Sequence, residues 1–108
     1  MFKINGEIWR IVYISPHSSY LQRSDGSFAI GVCNDSLKSI FIANNLNPAL
    51  AKKVLCHEIT HSAMFSYNID LDIEQEELLA NLMATFGEEI VDLTDRLFAE
   101  LKRKRENR

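Results

Sequence analysis

Asn47-Pro48 divides this chain into two halves that obey different local rules. Before it lie Asn5-Gly6, Pro16 and Asp25-Gly26; after it there is no further proline and a single glycine, Gly87. Proline and glycine are the strongest local punctuation a chain carries. The first half is therefore confined to short elements, and the second is free to build long helices. Strands followed by helices predict an α+β domain: a small, mostly antiparallel sheet of two hairpins with the helices on one face.

In the first half, "FKINGEIWRIVYI" reads as a hairpin, because Asn5-Gly6 is a strong two-residue turn signal flanked by strand-forming residues. "SPHSSYLQRSDGS" has no sustained period and predicts a loop with a helical turn around Ser19 to Gln22. "FAIGVCN" and "SIFIAN", separated by "DSLK", predict a second hairpin. In the second half, Asn47 is an N-cap with proline in the first turn, and the helix it opens can run through Tyr67. After the link "NIDLD", Asp72-x-x-Gln75 is a capping-box signal for a last helix reaching about residue 104. Gly87 is a point at which that helix can bend or split.

The first of these helices contains His57-Glu58-x-x-His61. Residues four apart on an α-helix differ by about 40° in direction and about 6 Å in height, so both imidazoles can reach one ion. Glu58 lies about 100° further round, beside the ion, where it can take a proton from a water that the ion has acidified. Two histidines hold a catalytic zinc poorly, and a third protein ligand is expected, leaving the fourth position open.

The short link predicts antiparallel helices. His61 lies about 9 Å before the end of its helix and Glu77 about 7.5 Å into the next, so their heights match. Glu74 shares that face nearer the link, Glu76 points about 100° away, and Glu88 is too far along. Glu77 is the expected third ligand, with Glu74 the competitor. Asn81, one turn on, comes level with His57 and is placed to hold its second ring nitrogen. Ala80 and Ala84 on the same side permit close helix packing.

His57-Glu58-x-x-His61 followed by Glu77, Ala80, Asn81 and Ala84 in the pattern E-x-x-A-N-x-x-A resembles the gluzincin metallopeptidases. Among them it is similar to the small ImmA/IrrE-type proteins of bacteria, phages and other mobile elements. Leu79 stands where the family's usual pattern carries a second glutamate. The resemblance, over about residues 29 to 90, implies a Zn²⁺-dependent hydrolase held by His57, His61 and Glu77, with Glu58 as the base. It also implies that the strand "SIFIA", through Ile40, Phe41 and Ile42, lies at a sheet edge above the metal and aligns an extended peptide or protein substrate. A donor for the developing oxyanion is expected from Tyr67, Tyr20 or His17.

At 108 residues and 46% apolar content the chain suits one minimal domain with its own core. No apolar run reaches the roughly 18 residues that span a bilayer, and no basic leader precedes an apolar stretch. A cytoplasmic protein is expected, with Cys33 and Cys56 as buried free thiols. The net charge of −3 gives no general attraction to nucleic acid, although Lys102, Arg103, Lys104, Arg105 and Arg108 form a basic tail suited to the helix dipole. Leu79, Leu82, Phe86, Leu93 and Leu97 form a stripe opposite Glu77: core packing, or a surface for a homodimer or another partner. The competing functional reading is a non-catalytic binding or regulatory module acting through this helix and tail, with His57 and His61 as ordinary core histidines.

Overall fold

A computed structural model of the chain describes residues 1–106. It is an α+β fold of four strands and two helices: β1 (Phe2–Ile4), β2 (Glu7–Ile14), β3 (Gly31–Asn34), β4 (Ser39–Ala43), α1 (Pro48–Ser66) and α2 (Ile73–Glu106). Both hairpins form. Asn5 and Gly6 each take positive φ, 48° and 79°, as a tight turn matched to the strand twist demands. The sheet order is β1-β2-β4-β3, so the hairpins join through a parallel β2·β4 pair and the sheet is mixed.

β4 therefore lies inside the sheet, and this corrects the expectation that Ile40, Phe41 and Ile42 form the edge. All five of its residues are buried. Phe41 and Ala43 turn to one face, where they pack with Leu21 from the loop, whose Ser19–Leu21 turn is a short 3-10 helix. Ile40 and Ile42 turn to the other and meet Val54 of α1. A strand apolar on both faces needs cover on both sides and a neighbour along each edge. The free edge beside α1 belongs to β3.

Trp9 of β2 is fully buried and donates its indole N–H to Ser66 Oγ at 2.8 Å, tying the first hairpin to the end of α1. At the other end, Asn47 Oδ1 accepts the Leu50 N–H at 2.9 Å. Replacing Asn47 by alanine strands that donor and is expected to cost about 1 kcal/mol. The check is the urea midpoint, which should fall with the slope unchanged.

Asp72 and Gln75 make the reciprocal bonds of a capping box, Gln75 N–H to Asp72 Oδ1 at 2.8 Å and Asp72 N–H to Gln75 Oε1 at 3.4 Å. From there α2 runs unbroken through Gly87, which is buried. Lys52–Glu88, Cys56–Met83 and His61–Glu76 are in contact, so the helices are antiparallel. No helix among the described residues is long and apolar enough to cross a membrane. Both thiols are free and half-buried. Arg108, the last cation of the basic tail, lies outside the described residues.

Candidate metal centre

α1 presents His57 and His61 to α2, and Glu77 meets both. His57 Nε2 and His61 Nε2 are 3.1 Å apart, Glu77 Oε2 is 3.3 Å from the first, and Glu77 Oε1 is 3.0 Å from the second. Three unlinked side chains thus aim their ligating atoms at one point. A tetrahedral ion with bonds of about 2.0–2.1 Å has ligand–ligand edges of about 3.3 Å, so the triangle has the dimensions of one face of such a site. Two imidazoles and a carboxylate are also a donor set that suits Zn²⁺ and leaves one position open. Glu74 stays exposed outside the cluster, and Glu88 pairs with Lys52 at 3.2 Å.

Ring orientation comes from a residue that helix angles alone set aside. Glu76 Oε1 lies 2.6 Å from His61 Nδ1. With Nδ1–H donating to that carboxylate, the lone pair of His61 sits on Nε2, facing His57 and Glu77. Glu76 and Glu77 straddle the His61 ring: their directions differ by about 100°, but the ring enters between them and offers one nitrogen to each. Asn81 does not take the orienting role expected of it. It is exposed at the rim of the adjoining cleft and makes no hydrogen bond to His57.

Glu58 lies beside the triangle, 5% exposed, with its Oε2 buried and unpaired. Burial pushes its carboxyl up from 4.5 to about 7; the nearby His61 opposes this and Glu77 adds to it. A carboxyl poised near neutrality is suited to accept and return a proton. Cys33, on β3, is not among the side chains whose ligating atoms converge here; burial first, and then Glu58 and Asp35, push its thiol up to about 12.

A cleft of about 630 Å³ opens onto His57, Glu58 and Glu77. Ala29, Ile30, Gly31 and Val32 form one wall, Leu50, Lys53 and Val54 of α1 another, and Arg23 reaches it from the loop. The edge strand over the site is thus β3. Gly31 makes that approach possible: a Cβ there would sit 2.5 Å from Val54 Cγ1 and 3.2 Å from Glu58 Cγ.

None of the three expected oxyanion donors lines this cleft. Tyr20 stacks on Phe41 at 4.6 Å with the rings 4° from parallel, His17 packs edge-on against Phe28, and Tyr67 caps the far end of α1. The loop does reach the site, but through Arg23, while Leu21 is buried with Phe41 and Ala43 on the other face of the sheet. Comparison of the chain with protein-family models, with curated proteins and with solved structures gives no match.

Proposed function

We propose that this chain is a zinc-dependent metallopeptidase that cleaves an extended segment of a specific protein, and that it works in the cytoplasm. The supporting observation is the triangle of His57 Nε2, His61 Nε2 and Glu77 carboxylate with a buried, unpaired Glu58 oxygen beside it. Zn²⁺ held there would supply a Lewis acid that acidifies water and polarises a peptide carbonyl. His61 is held for this task by Glu76, and Glu77 spans the two imidazoles.

Glu58 takes one proton of the attacking water on its carboxylate; the hydroxyl joins the carbonyl carbon as the carbon–nitrogen bond breaks, and Glu58 delivers the proton to the departing amine. The free edge of β3 offers backbone N–H and C=O groups that an extended substrate can pair with, over the cleft floor built by α1. Arg23 and Lys53 give the cleft mouth positive charge.

The test is metal content of protein without a histidine tag, dialysed against Zn²⁺. The wild type should hold one equivalent. His57→Ala and Glu77→Ala should lose it, and Glu76→Ala should weaken it by about 10–100-fold by releasing the His61 ring. Retention of zinc by either ligand variant would sink the assignment. A zinc-binding protein equally inert as wild type and Glu58→Gln against a broad peptide library would instead be a binding module.

A further inference from the structure

Outside the metal cluster, the charges that line the cleft are of one sign. Its two acids are both at the cluster: Glu77 meets the two imidazoles, and Glu58 is buried beside them. The other charged side chains lining it are Arg23 and Lys53, both cations, in a chain whose net charge is −3. Neither makes an ion pair among the described residues. Lys52, about 100° round α1 from Lys53, turns outward to Glu88 instead. Arg23 Nη1 donates to Ser27 Oγ at 3.4 Å. Asp25 shares that loop, but its Oδ1 accepts the Ser27 N–H and O–H at 2.9 and 2.6 Å, and it does not line the cleft.

Both cations lie toward the start of α1. Lys53 stands one turn before His57, about 6 Å along the axis. β3 follows α1 in the same sense: Gly31 faces Val54 and Glu58, and Asp35, just past the strand's end, shares a hollow with Met64 and Phe65. Residues before Gly31 therefore lie toward the start of α1. There the Ala29 N–H bonds Leu21 C=O at 2.8 Å and the Arg23 N–H bonds Ser27 C=O at 2.7 Å, which sets the loop at the head of the free edge.

That edge begins at Gly31. Ile30 C=O accepts the Ala43 N–H at 3.0 Å, and across a trans peptide the Gly31 N–H points the opposite way, out from β4. The antiparallel ladder repeats this at Cys33. An extended chain paired with Gly31 and Cys33 crosses the metal cluster and leads toward Arg23 and Lys53. At about 3.3 Å per residue, the 6 Å between His57 and Lys53 is about two residues of such a chain. The intervening walls, Ile30, Leu50 and Val54, are apolar, and low-dielectric walls focus the field of the charges at a cleft.

Resting on the peptidase reading above, we propose that the cleft selects a substrate with an aspartate or glutamate about two to four residues from the bond cut, on the side toward the start of α1. Arg23 and Lys53 are the residues that read it. They also repel a lysine or arginine at that place, so selection works by exclusion as well as attraction.

Digestion of a random-sequence peptide library by the zinc-loaded full chain, with products read by mass spectrometry, tests this. Aspartate and glutamate should be enriched about three- to tenfold over alanine in that window, on one side of the cut only, and less so as salt rises. Lys53→Glu and Arg23→Glu, both at exposed positions, should each reduce the enrichment, and together replace it with lysine and arginine. Lys52→Glu makes the same change of net charge outside the cleft and should leave the enrichment intact. Zinc content and far-ultraviolet circular dichroism should match wild type in all of them. Cleavage without acidic enrichment, or enrichment that survives the double reversal, would overturn the proposal and leave the peptidase reading standing. The same library is also offered to zinc-loaded Glu58→Gln for binding alone. Acidic peptides held there but never cut by wild type would keep the charge preference and remove the peptidase reading. A protein that neither cuts nor holds them overturns both.

Discussion

Glu58→Gln is expected to abolish peptide cleavage, by about 10²–10⁴-fold, while the protein keeps its metal. The amide preserves the shape of the side chain but cannot take a proton from water at this pH. The same substitution should raise the stability of the metal-free protein, and the sign follows from burial. The Glu58 carboxyl sits at about 7 in the folded chain against 4.5 ordinarily. Below pH 4.5 it is protonated in both folded and unfolded chains. Between 4.5 and about 7 the folded chain keeps a proton that the unfolded chain has lost, so stability falls as pH rises. Above about 7 the folded protein carries the whole cost of a carboxylate that is 5% exposed with one oxygen unpaired. Glutamine never titrates. The variant should therefore exceed wild type by on the order of 2 kcal/mol at about pH 8, and the gap should close toward about pH 4.5. Urea denaturation with chelator at the two pH values measures it. Cleavage retained in the variant would remove Glu58 from the chemistry, and a wild type at least as stable at about pH 8 would remove the buried-carboxylate account.

Much of this cluster was legible from short-range rules because His57, His61 and Glu77 sit on helices, whose geometry is nearly fixed. Asn47 and Asp72 mark both helix starts, and matching rises from the link select Glu77 over Glu74 and Glu88. Long-range order and side-chain torsion, which short-range rules do not reach, decide the rest. Two hairpins can join through any of their edges. Only the parallel register of Val12 with Phe41 makes β4 internal and leaves β3 over the cleft. The unbroken apolar run of "SIFIA" was the available signal, because an edge strand rarely needs both faces apolar. Backbone direction alone points Glu76 away, but a long carboxylate side chain can bend to a ring nitrogen that its Cα does not face. Arg23 has no local signal, since a loop without a sustained period does not say which of its residues comes to the cleft.

Gly31→Ala carries the second large effect, and it tests the β3 wall. The added Cβ would lie 2.5 Å from Val54 Cγ1 and 3.2 Å from Glu58 Cγ. Val54 cannot easily swing away: it is buried, and a valine in a helix is held largely to one χ1 rotamer. Either β3 lifts from α1 or the helix gives way under it. The expected cost is about 1–3 kcal/mol of stability, with cleavage lost because the strand and Glu58 no longer share one geometry. Zinc binding should survive, since neither His57, His61 nor Glu77 meets the new methyl group. Val54→Ala supplies the missing space. Alone it leaves a cavity and costs stability, but combined with Gly31→Ala it accommodates the added carbon, so the double variant should be more stable than the sum of the two losses allows. Strictly additive losses in denaturant would mean that the strand is not seated on Val54, and the cleft would then lack the wall proposed to align its substrate.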